Sequence, residues 1–232
     1  MKVIKDIEQG TQEWHEARRC KVTGTKLSNV MGTNLNRFDL IAELIAEEGT
    51  EQSKAFKATA EMERGSAEEI FAVKLFEKLT GKKVEQIGIC ISDEFDFVTL
   101  SPDGFIADEN GKYTEAIEVK SPNSATMIKY KLANLIDPKE TNLTASKKPW
   151  LEIPAEYKWQ VVHNFIVNPD LRTLYFLVYD ARFIQDSSKS YIVEVKWENE
   201  VLQEAIMEAK KALTEFRETW LRWKDVVAPT NF

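Results

Sequence analysis

Two short acidic segments carry the residue types and spacing that suit phosphoryl chemistry: Ser101-Pro102-Asp103-Gly104 and, beyond a turn, Glu118-Val119-Lys120. Asn110-Gly111 lies between them and is the pair preferred in two-residue hairpin loops. With such a loop, residues whose numbers add to 221 stand opposite one another, which sets Asp103 against Glu118. Opposed residues of an antiparallel pair have Cβ atoms about 5 Å apart, close enough for two carboxylates to share a hard divalent cation such as Mg²⁺. Lys120 projects to the same face as Glu118, while Ile117 and Val119 point the other way into apolar packing. Carboxylates this close repel, and one takes up a proton unless a cation or Lys120 compensates them. That is the physical ground for expecting a metal. A bound Mg²⁺ polarises a phosphate oxygen and lowers the pKa of a water, with Lys120 orienting that water or offsetting transition-state charge. The chemistry implied is phosphodiester hydrolysis. The alternative is a surface hairpin stabilised by cross-strand charge pairs, since Glu-x-Lys also occurs at Glu156-Tyr157-Lys158, Glu194-Val195-Lys196 and Glu208-Ala209-Lys210.

The elements that must position these residues follow from hydrophobic periodicity. A helix is expected over 35–48, with Phe38, Ile41, Leu44 and Ile45 on one face, and a second over 60–80, closed by Gly81. At about 100° per residue, the second helix keeps Glu63, Lys74, Glu77 and Lys78 wet and sets Glu69 between Met62, Val73 and Phe76. Glu69 then faces the core side, either beside the acidic pair, as partner of a buried arginine, or as a half-exposed edge residue. Glu68, near Leu75 and Leu79, is an equally good candidate by geometry. Strands over 83–92, 95–100, 105–107 and 113–120 read as an antiparallel meander. A helix over 124–136 follows, then a polar loop with Pro138 and Lys147-Lys148-Pro149, then a helix opened by Pro154 and running to 166. Strands over 171–179 and 191–196 and an amphipathic helix over 200–224 complete the chain. The class is mixed α/β around one central sheet, in a single domain over 1–232.

Composition narrows the function. The 232 residues carry a net charge of −7 with 43% hydrophobic and 30% charged residues, which excludes a wholesale basic nucleic-acid coat and a disordered chain. No window is apolar enough for a membrane helix, and the N-terminus lacks the apolar core of a signal peptide, so a cytoplasmic location is expected. Cys20 and Cys90 are too few for a disulfide framework and are read as reduced and structural. His15 and His163 are the only histidines, which rules out a histidine-rich metal site. No glycine-rich loop followed by Lys-Ser or Lys-Thr occurs, which argues against a nucleotide-triphosphate motor.

An ordered series of segments resembles the lambda-exonuclease, or YqaJ-type, viral recombinase nucleases, a branch of the PD-(D/E)XK superfamily. It runs through Gln9-Gly10, Trp14-His15, Arg18 and Val22-Thr23-Gly24-Thr25, then Gly65 and Glu69. It continues with Ser101-Pro102-Asp103-Gly104, Glu118-Val119-Lys120 with Pro122, Gln160 and Tyr179-Asp180-Ala181-Arg182. The departures are Gly24-Thr25, where that family often has Ala-Ser, and Cys20 in place of a small residue. The resemblance implies a restriction-endonuclease-like fold, a central mixed sheet flanked by helices.

It also implies roles. Asp103, Glu118 and the main-chain carbonyl of Val119 would bind metal, two Mg²⁺ per active site with Mn²⁺ as a substitute, and Glu69 would lie nearby. Lys120 would be the catalytic lysine and Gln160 a helix-borne residue of the same site. Arg18 matches the arginine that holds a 5′-terminal phosphate, with Thr25 and Ser101 as neighbouring hydroxyl donors; a planar fork suits phosphate oxygens. Trp14 would be a further DNA contact, or simply a rim aromatic. The activity implied is Mg²⁺-dependent 5′→3′ digestion of one strand of linear duplex DNA, leaving a 3′ single-stranded tail for recombination. The implied partners are a phosphorylated duplex end, two further copies of the chain in a homotrimeric ring, and a single-strand annealing protein. Lys129, Lys131, Lys139, Lys147 and Lys148 make one region locally positive, either to track phosphates or as a solvated loop. Leu213, Phe216, Trp220 and Trp223 in the last helix pack on the domain or on a neighbouring subunit.

Overall fold

The structure, a computed structural model, describes residues 1–50, 60–137, 140 and 148–227. Its strands form two sheets. The larger has the order β4 (Gly104–Ala107), β5 (Tyr113–Lys120), β6 (Thr173–Tyr179) and β7 (Ser190–Lys196). Pairing runs antiparallel, parallel, antiparallel. β6 is central, and its run Leu-Tyr-Phe-Leu-Val-Tyr is buried on both faces, the pattern of a strand covered on both sides. The parallel step from β5 to β6 requires a crossover. That crossover carries α5 (Ser124–Leu135) and α6 (Lys158–Val167), the latter entered through a 3₁₀ turn over Ala155–Tyr157.

Each face of this sheet buries a different layer. On one side, Ala72, Val73 and Phe76 of α4 (Ala60–Thr80) meet Ile106, Ile117, Val119, Tyr175 and Leu177. On the other, Ala116, Leu174, Phe176 and Val178 join the main core with Val161 and Phe165 of α6 and with Leu213 and Phe216 of α7 (Glu200–Val227). The alternation expected along β5 therefore holds: Ile117 and Val119 face α4, leaving Glu118 toward α6. Leu213, Phe216 and Trp220 are buried within this chain, and Trp223 meets Phe38 of α3 (Asn34–Gly49) at 5.8 Å. Their packing is thus on the domain.

The smaller sheet pairs β1 (Lys2–Ile4), β2 (Ile89–Ile91) and β3 (Thr99–Leu100) antiparallel. The expected meander over 83–120 is corrected here: β3 does not pair with β4, and the chain leaves one sheet at Leu100 and enters the other at Gly104. The link is Ser101-Pro102-Asp103, in which Pro102 has no N–H to extend a ladder.

The hairpin register is the predicted one, with Gly104 against Ile117, Phe105 against Ala116 and Ile106 against Glu115. The loop is not the predicted one. Asp108 N–H bonds the Lys112 carbonyl at 2.8 Å, and Gly111 takes the left-handed conformation at φ +77°. A register shift then falls between Ile106 and Ala107, so Ala107 stands against Tyr113. A loop one residue longer than expected plus a bulge restores the pairing that a two-residue loop would give. α1 (Gln12–Ala17), α2 (Gly24–Val30) and β1 are too short to show a period in the sequence. Pro138, Lys139 and Lys147 lie outside the described residues.

Candidate active site

Asp103 and Glu118 meet where the link joins β4. Asp103 Oδ2 accepts the Val119 main-chain N–H at 2.6 Å. Within a strand, the N–H and C=O of one residue point to the same side, so the Val119 carbonyl lies on the Asp103 edge. The register, continued, sets Pro102 against Val119, and proline has no N–H with which to claim that carbonyl. Gly104 follows because a Cβ there would collide with Val84. Glu118 is 8% exposed. Its Oε1 accepts from Lys120 Nζ at 2.6 Å and its Oε2 from Asn164 Nδ2 at 3.2 Å.

The charges here are mutually strained. Burial lifts the Asp103 carboxyl well above the usual carboxylate range, and Glu118 and Glu69 push the same way. Burial and then Glu118 raise the Glu69 carboxyl too. Burial disfavours the Lys120 ammonium, yet Glu118 and Asp103 overturn that and hold it protonated. Glu68 is separated from this group: it pairs with Arg64 at 3.0 Å. Periodicity leaves Glu68 and Glu69 equivalent, but their neighbours differ: Glu68 meets Arg64, whereas Glu118 and Lys120 act on Glu69.

Two arginines hold the chain just past Lys120. Arg64 donates to the Ser121 carbonyl at 2.9 Å, and Arg182 to that of Pro122 at 3.0 Å. Arg182 is itself gripped by both oxygens of fully buried Asp180, at 2.7 and 3.0 Å. Although burial opposes it, hydrogen bonds from Arg182 and Ser124 bring the Asp180 carboxyl down to about 2.

The other end of the link faces α1. Arg18 Nη1 and Trp14 Nε1 both donate to Ser101 Oγ at 2.8 Å, and the guanidinium lies 3.9 Å from the centre of the Trp14 ring. Two bonds accepted by one hydroxyl oxygen leave its hydrogen as a donor. Burial lowers the Arg18 pKa to about 10, so it remains charged at neutral pH. Among the described residues no carboxylate pairs with it. Gln9 secures the link by donating to the Pro102 and Ile87 carbonyls, each at 2.9 Å. Thr25 is exposed on the first turn of α2, its hydroxyl 3.2 Å from that of Thr23.

α6 reaches both ends. Gln160 is half-buried on its first turn, where Gly24 packs against Gln160 and His163. His163 is fully buried and its Nε2 bonds the Thr99 carbonyl at 2.8 Å. A carbonyl only accepts, so Nε2 carries the proton; burial lowers the His163 pKa to about 4 and keeps the ring neutral. Asn164 was not singled out by sequence reasoning. Its signal was available: a second polar residue, one turn after Gln160, in the apolar run Val161 to Val167. Of the lysines read as a basic region, Lys131 donates to the Ser188 carbonyl at 3.1 Å, while Lys129 and Lys148 are exposed.

The donor set fits a hard divalent cation: carboxylate oxygens and one main-chain carbonyl, carrying excess negative charge in a partly buried place. Among the described residues no three of His, Cys, Asp and Glu converge on one point. There is thus no preformed cage of such side chains, and Asp103, Glu118 and the Val119 carbonyl are the oxygens that would hold an ion.

A mixed sheet flanked by helices, a Pro-Asp link and a Glu-x-Lys strand define the class as a PD-(D/E)XK-like fold. Within it the chain belongs to the family of the YqaJ-like viral recombinase domain, whose model matches residues 13–170. The fold is similar to that of an alkaline exonuclease, LHK-Exo, from Laribacter hongkongensis, at 24% identity and TM-score 0.73 over 94% of this chain and 96% of that one. LHK-Exo in complex with dAMP matches at 25% identity and TM-score 0.69, covering 94% and 98%. A phage-related exonuclease from Haemophilus somnus matches at 15% identity and TM-score 0.56, covering 90% and 98%. No curated protein matches the chain. Among the described residues no helix is long and apolar enough to cross a membrane.

Proposed function

We propose that the protein is a Mg²⁺-dependent DNA exonuclease that enters linear duplex at a 5′-phosphorylated end and removes mononucleotides 5′→3′, leaving a 3′ tail for recombination. The observation that carries this reading is one three-residue link with a desolvated guanidinium, unpaired with any carboxylate among the described residues, at one end and a strained carboxylate pair with a lysine at the other. An anion-seeking group and a cation-seeking group a few residues apart suit a phosphate terminus and the adjacent scissile phosphodiester. Family membership and the likeness to an exonuclease solved with a mononucleotide support it.

In this reading Arg18 holds the terminal phosphate with its fork, aided by the Ser101 and Thr25 hydroxyls, and Trp14 backs the guanidinium. Asp103, Glu118 and the Val119 carbonyl would hold Mg²⁺, two ions per site with Mn²⁺ able to substitute, and Glu69 stands beside them. When bound, the ion supplies Lewis acidity and neutralises charge at the phosphate. Lys120, an ammonium, orients water by donating to it and offsets charge at the phosphate oxygens. Gln160 serves the same site from α6. A homotrimeric ring would keep an acidic protein on DNA, a single-strand annealing protein would take up the tail, and the cytoplasm would be where the enzyme meets its DNA.

The test is digestion of linear duplex DNA in Mg²⁺ or EDTA, with 5′-phosphate and 5′-hydroxyl ends and with wild type and Asp103→Ala. The expected result is Mg²⁺-dependent mononucleotide release, faster from phosphorylated ends and abolished by the substitution. Internal cuts would replace the exonuclease with an endonuclease. A folded wild type that binds ends yet never cleaves, even in Mn²⁺, would make the chain a DNA-end-binding module.

A further inference from the structure

We infer that Asn164 is a positioning residue: its side-chain amide fixes the Glu118 carboxylate so that one oxygen stays turned to the reacting site. Asn164 is 1% exposed and lies in a stretch of α6 where every residue from Val161 to Val167 is buried. A polar group so placed must be paired or it costs free energy. Its Nδ2 donates to Glu118 Oε2 at 3.2 Å and to the Gln160 carbonyl at 3.0 Å. Both partners are acceptors only, so the amide cannot be turned round: an oxygen placed there would face two oxygens.

That orientation carries a cost of its own. Asn164 Oδ1 is buried without a hydrogen-bond partner among the described residues. A side chain chosen for packing alone would not leave a carbonyl oxygen stranded to serve a carboxylate. The two Glu118 oxygens are thus held differently. Oε1 belongs to Lys120, a cation on a flexible stem, and Oε2 belongs to an amide on the buried stretch of α6. Lys120 can leave Oε1 to meet water or phosphate, whereas Asn164 keeps the carboxylate from turning when it does. The bond to the Gln160 carbonyl ties this grip to the turn of α6 that bears the other helix-borne site residue.

The inference rests on Glu118 binding a cation as proposed above, and the experiment separates the two. Mg²⁺ affinity of the DNA-free protein is measured by calorimetry, together with kcat and KM on linear duplex, for wild type, Asn164→Ala, Asn164→Gln and a control, Asn168→Ala. Asn168 is equally buried and donates to the Tyr113 carbonyl at 2.7 Å, so its loss costs stability away from Glu118. Partners of metal-binding carboxylates are worth about 10–100-fold in affinity or rate. Asn164→Ala is therefore expected to weaken Mg²⁺ binding and lower kcat by about 10-fold or more with little change in KM, Asn164→Gln to regain part of both, and Asn168→Ala to keep wild-type affinity. Asn164→Val, which fills the space without a donor, makes the same test should the alanine variant fail to fold. Wild-type Mg²⁺ affinity and kcat in a folded donor-free variant, or equal losses in Asn168→Ala, would overturn the positioning role. A wild type that neither binds Mg²⁺ nor cleaves would overturn the functional reading beneath it.

Discussion

The Arg18 pocket and the Asp103–Glu118 cluster lie at opposite ends of the same link, yet they are built in opposite ways. In the pocket, neutral groups are tied to one another: Trp14 and Arg18 share Ser101 Oγ, and Trp14 also reaches the Gly88 carbonyl at 3.2 Å. What it lacks is an anion. In the cluster, acids crowd acids, burial raises the pKa values of Asp103 and Glu69, and among the described residues Lys120 is the cation that acts on both. What it lacks is positive charge. The two regions belong to different sheets, and α6 spans them through His163 at Thr99 and Asn164 at Glu118. Preorganisation in one place means finished hydrogen bonds around a bare charge; in the other it means carboxylates held together against their own repulsion.

The strongest way to break this contrast is Lys120→Ala. If the cluster does the cutting and the pocket the holding, kcat should fall by about 10³-fold, as for loss of a group stabilising transition-state charge, while affinity for a phosphorylated duplex end changes little. Single-turnover cleavage beside filter binding reads both, and a variant that still turns over would remove Lys120 from its role.

A second test probes the helix between them. Glu118 and Arg18 are the charged groups that act on His163, with opposite signs. A folded-state pKa near 4 against an ordinary 6.5 means the unfolded chain binds a proton that the native state refuses. Stability is then full above the ordinary value and lost as pH falls through that window, by about 3 kcal/mol at its lower end. Denaturant titrations from neutral pH to about 4 should show this slope in wild type and a flatter one in His163→Gln. Parallel slopes would mean His163 takes a proton in the native state and that α6 is no neutral strut.

The finest distinction is Arg18→Ala. Hydrogen bonds to a charged group are worth about 1.5–3 kcal/mol, so preference for 5′-phosphate over 5′-hydroxyl ends should drop by about 10-fold or more, with the rate on hydroxyl ends nearly preserved. An equal loss on both ends would make Arg18 a general backbone contact and dissolve the division of labour.

Much of this was legible beforehand because it depends on local rules. Helices α3 to α7 and strands β4 to β7 follow from periodicity and from Gly and Pro punctuation, and the Asp103–Glu118 register was reached although the loop was misjudged. A longer loop and a bulge cancel in the count, so residue numbers alone could not separate the two solutions. The meander failed at Pro102, whose missing N–H ends one ladder before another begins. Glu68 and Glu69 were indistinguishable on a helical wheel, since only Arg64 and the neighbouring acids tell them apart.

By itself the sequence determined the chemistry on offer: oxygen donors and a lysine on one strand, a tryptophan and an arginine four residues apart, and an alternation that sends Glu118 away from Val119. Those are properties of neighbours along the chain, where backbone geometry leaves few choices. Tertiary structure alone decided which charges face each other, that one link feeds two sheets, and that Asn164 reaches Glu118. Residues 118 and 164 meet only because a parallel crossover lays α6 across β5, and no local period records a contact across that distance.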